Sequence, residues 1–169
     1  TETVTIDPLP TYVLTPANPT ICNGTDGSIL ISGLTPGGNY DVTYDDGITA
    51  PTTLSGEVAN GSGEITIGSL GSGTYTITVT DNSSSCIGLP VAISLTNPGA
   101  PSIDPYGLQT VCDSYTVLAI TGTSLTGSQA YYDATGGPVG GGATVAVGTV
   151  ITSSTILYAY DENGSCSNE

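Results

Sequence analysis

Nine residues near the middle of the chain, Gly73-Thr-Tyr-Thr-Ile-Thr-Val-Thr-Asp81, alternate strictly between two kinds of side chain. Tyr75, Ile77 and Val79 fall on one face, and Thr74, Thr76, Thr78 and Thr80 on the other. Neighbouring side chains of an extended strand point to opposite faces, so the pattern predicts a half-buried antiparallel strand with threonine toward solvent. The same period recurs. Strands are expected over 28–32, 39–44, 64–70 and 89–95, then over 115–120, 129–132, 144–147 and 155–161, with Gly, Pro, Asn or Asp between them. No window places apolar residues at helical spacing between caps.

Strands separated by turns at roughly ten-residue spacing point to sandwiches or barrels. The stretch Asn97-Pro-Gly-Ala-Pro101 divides the strands into two runs. The expected architecture is therefore all-β: two tandem immunoglobulin-like antiparallel β-sandwiches, over 11–97 and 98–169, preceded by a strand and linker at 1–10. A single large barrel is the alternative.

Composition narrows what such a chain does. It has no Lys, Arg or His and fifteen acids, for a net charge of −15. Ordinary soluble chains carry both signs in quantity, so the loss of every base reads as selected. It also leaves trypsin-like proteases no site, which suits a protein outside the cell. Binding to nucleic acid needs cations to displace counterions, and an anionic membrane surface repels this chain. No apolar run is long enough to span a bilayer, and no signal peptide is visible at Thr1. The expectation is a removed signal or an internal piece of a longer exported protein. Hydrophobic residues are 37% of the chain and strand-forming, which argues against acidic disorder. With Tyr as its only aromatic, the core should be thin and stapled.

Four cysteines allow three pairings. Cys22 and Cys86 flank the first strand-rich stretch, and Cys112 and Cys166 flank the second. The expected bonds are Cys22–Cys86 and Cys112–Cys166, each closing a long loop in an oxidising compartment.

Leu34-Thr-Pro-Gly-Gly-Asn-Tyr40 and Leu70-Gly-Ser-Gly-Thr-Tyr75 share a leucine, a glycine turn and a strand-starting tyrosine. This is the pattern of a tyrosine corner, with Tyr40 and Tyr75 capping turns; the alternative makes them sugar-stacking platforms. Without His or Lys a Ser or Thr nucleophile lacks its usual base, and no catalytic signature is present, so no enzyme is expected. The acids cluster at Asp45-Asp46-Gly47 and Asp161-Glu162-Asn163-Gly164, both read as turns. Asp45, Asp46, Asp161 and Glu162 are weak calcium candidates, since calcium takes oxygen ligands from loops, but neither cluster has EF-hand spacing. No cofactor is otherwise expected. The tract Gly136-Gly-Pro-Val-Gly-Gly-Gly142 reads as a hairpin or loop, with no Lys and no following helix to bind phosphate.

Cys22-Asn-Gly-Thr-Asp-Gly-Ser-Ile29, with Leu70 to Asp81 and Cys86, resembles the SprB-type repeat of large secreted adhesins of Bacteroidetes bacteria. The likeness covers about residues 11–97. It departs at Tyr40-Asp-Val-Thr-Tyr44, where such repeats often carry a Pro-Tyr and a Trp. Residues 101–169 resemble the immunoglobulin-like modules found beside those repeats, in Val111-Cys112, Gly127 to Tyr132 and Ile156 to Asp161. The resemblance implies surface export and adhesion or filament building. It carries over no ligand-binding residue. The rival reading is a carbohydrate-binding accessory module of a secreted enzyme.

The two ends suggest how copies connect. Thr1-Glu-Thr-Val-Thr-Ile-Asp7 alternates, with Val4 and Ile6 on one face, and Pro8-Leu-Pro10 follows it as a linker. In the resembling modules a final alternating strand follows the position of Cys166 to Glu169. The expectation is that residues 1–7 complete the second sandwich of a preceding copy, head to tail, either along one long polypeptide or between neighbouring subunits. Partners are then copies of the same module, with surface glycans as a further candidate.

Overall fold

The computed structural model describes residues 6–169, and among them every regular element is a β-strand. In chain order these are β1 (Val13–Ala17), β2 (Gly27–Ser32), β3 (Asn39–Asp45), β4 (Thr52–Val58), β5 (Ile65–Leu70), β6 (Gly73–Asp81), β7 (Cys86–Ile87) and β8 (Val91–Leu95). They continue with β9 (Ser102–Ile103), β10 (Tyr115–Thr116), β11 (Gly122–Thr123), β12 (Ala130–Tyr132), β13 (Thr144–Val145), β14 (Val150–Ile151), β15 (Tyr158–Asn163) and β16 (Cys166–Asn168). All pairings are antiparallel. The chain forms two compact units, one ending at Pro98 and the other spanning Gly99–Glu169.

The first unit is a β-sandwich. One sheet has the order β1-β2-β5; the other runs β4-β3-β6, with β7 and β8 sharing the far side of β6. Alternation decides what lies between them. Ile29 and Ile31 of β2, Ile65 and Ile67 of β5, Val42 of β3, and Tyr75, Ile77 and Val79 of β6 are all buried in one core. Burying each such side chain contributes on the order of 1.5–3 kcal/mol relative to leaving it exposed. The threonines of β6 alternate with these residues and pair across the sheet; Thr74 Oγ1 lies 2.8 Å from Ser94 Oγ.

Two strands of this unit leave little trace in the sequence. Both β1 and β4 lie at sheet edges, and β4 is almost entirely exposed. An edge strand with few core contacts needs no apolar face, so its alternation is lost. The turn at Asn60–Glu64 depends on glycine: Gly63 has φ +75°, and a Cβ there would stand 2.1 Å from the Leu34 carbonyl oxygen.

The second unit is looser. Its sheets are β13-β12-β15-β16 and the short pairs β10–β14 and β9–β11. Only Val117, Ile120 and Tyr131 are fully buried in its apolar cluster, against thirteen residues in the first unit. Expected strands shrink accordingly: the run at 115–120 is a strand only at Tyr115–Thr116, and that at 155–161 begins only at Tyr158. Asp161 and Glu162, expected in a turn, lie in β15 with opposite exposure; Asp161 is buried and Glu162 exposed. The turn falls after them, at Gly164-Ser165.

Candidate functional site

The two tyrosines expected to cap turns are buried in the first unit. The Tyr40 hydroxyl accepts the Thr35 backbone N–H at 3.1 Å, and its ring covers Gly38, leaving no room there for a Cβ. The Tyr75 hydroxyl donates to the Gly71 carbonyl at 3.0 Å. Burial, and then the negative charge of Asp46, raise the Tyr75 phenol above its ordinary value. Rings enclosed in this way present no face to a sugar.

The cysteines differ from expectation. Cys22 and Cys166 are disulfide-bonded, whereas Cys86 and Cys112 carry free thiols, so neither expected pair forms. Strand geometry gives the reason in the first unit. Cys22 lies beside Asn97, whose amide donates to its sulfur at 3.6 Å, near the end of the sheet where Gly73 of β6 pairs with Leu95. Cys86 pairs with Asp81 at the opposite end of β6. Eight residues of rise put these ends about 26 Å apart, whereas a disulfide needs Cα atoms within about 7 Å. In the second unit Cys112 lies in a strandless stretch before β10, while Cys166 opens β16 across the hairpin from Asn163.

The acids are engaged in local structure. Asp45 Oδ1 accepts the Gly47 N–H at 2.8 Å, and Asp46 Oδ1 accepts the N–H groups of Ile48 and Thr49 at 2.9 and 2.8 Å. These bonds, that from Thr49 foremost, hold the Asp46 carboxyl below its ordinary value. Asp161 is 1% exposed and accepts from the Thr126 N–H at 2.8 Å and hydroxyl at 2.5 Å. Glu162 accepts the Tyr160 hydroxyl at 2.9 Å. Consecutive residues of a strand point to opposite faces, so Asp161 and Glu162 cannot converge on one ion. Among the described residues no three His, Cys, Asp or Glu side chains are grouped to hold a metal. The glycine tract is a tight turn closed by a bond from Gly140 N–H to the Gly136 carbonyl, with Gly137 flat against the Tyr160 ring.

Of the expected assembly strand, Val4 lies outside the described residues. Ile6 is 88% exposed, and one residue on the Asp7 carbonyl lies 3.7 Å from the Cys86 sulfur.

What the sequence did not single out is a cleft of about 680 Å3 in the second unit. One wall is the stretch Tyr106–Tyr115, the other Ile151–Leu157, and Val117 and Tyr131 line it as well. Register shows how it opens. Tyr115 pairs with Ile151 and Thr116 with Val150, but the two chains part immediately beyond that pair. Tyr106 anchors the first wall: its hydroxyl accepts the Thr121 N–H at 2.8 Å and donates to the Ala119 carbonyl at 2.9 Å. Its ring meets Tyr131 edge-on, centroids 6.0 Å apart. Leu108, Val111 and Ile156 along the walls are 95%, 51% and 71% exposed. Beside the cleft, β12 covers one side of β15 at Tyr158–Tyr160, while β16 covers the other side only at Asp161–Asn163.

No family model matches the chain, and no curated protein matches it. Among the described residues no helix is long and apolar enough to cross a membrane.

Proposed function

We propose that this chain is a structural repeat unit of an extracellular adhesin or filament, assembled head to tail by strand complementation. The observation that carries the reading is an apolar cleft in the thinly packed second unit, with Leu108, Val111 and Ile156 exposed along its walls. Exposed apolar walls of this kind mark interaction surfaces, and the two chains that part beyond Tyr115 and Ile151 leave an extended segment room to pair. A segment with the alternation of a strand lies in the same sequence, at Thr1 to Asp7, with Val4 and Ile6 in phase. Interfaces of this head-to-tail kind do not close on themselves and grow into chains.

Other features support the setting. The bonded Cys22 and Cys166 fit an oxidising compartment, and the absence of Lys and Arg suits exposure to proteases outside the cell. The SprB-like and immunoglobulin-like patterns of the two halves point the same way. In this reading the chain carries no catalytic task, and its acids shape turns and keep copies soluble.

The test is assembly of the purified protein, followed from low to high micromolar concentration by sedimentation velocity and negative-stain electron microscopy. Linear oligomers that lengthen with concentration are expected. A strictly monomeric protein at every concentration refutes the reading, and selective binding on a glycan array would move it toward the carbohydrate-binding rival.

A further inference from the structure

The chain enters and leaves the first unit at opposite ends of the sandwich, with β6 running between them from Gly73 to Asp81. At the Asp81 end lies Cys86 of β7, and the Asp7 carbonyl sits 3.7 Å from its sulfur. At the Gly73 end lies Leu95, the last residue of β8, and from there the chain runs out to Pro98. Entry and exit are thus about 26 Å apart, the rise of eight strand residues. We infer that this unit bears tension along the chain, with its first and last strands held in shear. The biological use of that property rests on the adhesin or filament reading above; the property itself does not.

Strand direction decides how a pull is resisted. Tyr12, just before β1, reaches the Ile77 carbonyl near the middle of β6. β1 then runs to Ala17, which pairs with Ser28, next to the Gly27 that pairs with Leu70 before Gly73. β8 runs from Val91, opposite Ile77, to Leu95, opposite Gly73. The two strands therefore run the same way, and they lie side by side although they belong to different sheets. An outward pull at Asp7 draws β1 backward along its own axis, and one at Pro98 draws β8 forward along its own. Antiparallel ladder bonds stand perpendicular to the strands, so the five-residue registers of β1 on β2 and of β8 on β6 are each loaded all at once. With entry and exit at one end, a strand would peel and its bonds would break one after another.

Side chains tie the two segments that such a pull drives apart. The Tyr12 hydroxyl shares its proton between the carbonyls of Ile77 and Leu89, at 2.9 and 2.7 Å. Asn18 Oδ1 accepts the Thr96 N–H at 2.9 Å. Asn97 anchors the exit to the loop after β1: its Oδ1 accepts the Asn23 N–H at 2.7 Å, and its amide donates to Asn23 Oδ1 at 2.8 Å. The core opposes sliding as well. Leu95 is buried and Leu14 of β1 packs on the same cluster, and a slip of one residue would turn every such side chain to the wrong face.

Single full-length molecules held at constant force test this, with attachment through azide-bearing side chains placed in pairs at exposed sites. Ile6 with Gly99 pulls along the load axis, and Ser72 with Gly99 pulls β8 from one end. Both are run with disulfides reduced, so that tension follows the backbone, after circular dichroism confirms the fold. Ser83 with Gly99 repeats the axial pull on β8 in the unreduced protein, against Ser72 with Gly99 in the same state. Opening at a given force is expected to be at least about tenfold slower along the axis than from one end. Equal rates, or faster opening along the axis, overturn the inference. Tyr12→Phe removes only the tie, and should speed opening along the Ile6–Gly99 axis at least about threefold while leaving the Ser72–Gly99 rate unchanged. A variant that speeds both alike, or neither, overturns the role of Tyr12 as a tie. A protein that stays monomeric in solution yet shows the tenfold contrast overturns the head-to-tail reading and leaves the tension-bearing device standing.

Discussion

Replacing Thr126 by Val isolates the contribution of one hydroxyl to the second unit. Asp161 is 1% exposed, and the Thr126 hydroxyl and N–H hold its carboxylate at 2.5 and 2.8 Å. Val matches the shape of Thr but cannot donate, so the carboxylate keeps the backbone bond and loses the other. A hydrogen bond to a charged group contributes about 1.5–3 kcal/mol, and burial prevents water from replacing it freely. The unit has only 71 residues, from Gly99 to Glu169, and a domain of that size shifts its melting midpoint by about 4–8 °C for each kcal/mol. Thr126→Val should therefore lower the midpoint of this unit by at least about 6 °C. Thr126→Ser keeps the donor and should cost less than about 1 kcal/mol. Urea unfolding followed by circular dichroism, with amide exchange to assign the loss to residues 99–169, measures both. A Val variant within about 0.5 kcal/mol of wild type, or a Ser variant as damaged as Val, would refute the reasoning.

Three further outcomes follow from the geometry. Gly63→Ala places a Cβ against the Leu34 carbonyl at a left-handed φ, so it should destabilise the first unit by more than about 2 kcal/mol, whereas Gly61→Ala, with open space around it, should not; equal melting curves would contradict this. The native, unreduced protein should expose two thiols to alkylation, Cys112 faster than the half-buried Cys86, and peptide mapping with a non-tryptic protease should leave Cys22 and Cys166 unmodified; a protein with no reactive thiol counts against the assignment. Stability should be flat across mid-range pH and fall at both ends. Hydrogen bonds from the Thr20 hydroxyl, the Asn82 amide and the Ser83 hydroxyl hold Asp26, Asp41 and Asp81 below their ordinary values. The unfolded chain then binds protons first, so this contribution is present above about pH 4 and lost as pH falls below it. Burial raises Tyr12 and Tyr75, whose contribution is present below about pH 10 and lost as pH rises beyond it. A melting temperature that climbs on acidification from pH 5 to 3 would show that relief of charge repulsion outweighs these bonds.

Residues that serve a buried face are the ones whose role could be read from the chain alone. Tyr75, Ile77 and Val79 alternate with threonine because one side of β6 meets the core and the other meets water, and period two survives wherever that division holds. The same constraint made the strands that carry Ile29, Ile31, Ile65 and Ile67 visible, and the whole molecule visible as all-β. Turn chemistry is equally local, which is why Tyr40 and Tyr75 could be placed over their glycine turns from spacing alone. Edge strands such as β4 escape because exposure on both faces leaves no pattern to read.

Cysteine pairing and the cleft were decided elsewhere. Cys22 and Cys86 flank the same run of strands, yet an antiparallel strand carries its two ends apart, and only the register of β6 with β7 and β8 reveals that they lie at opposite ends of it. Asp161 and Glu162 are neighbours in sequence and share no site, because the pleat turns one inward and the other out. The cleft exists because two chains that pair at Tyr115 and Ile151 part beyond that point, and no residue in either wall signals the parting. Alternation is a property of one strand and its own sequence carries it, whereas a gap is a relation between strands distant in sequence, and packing alone creates it.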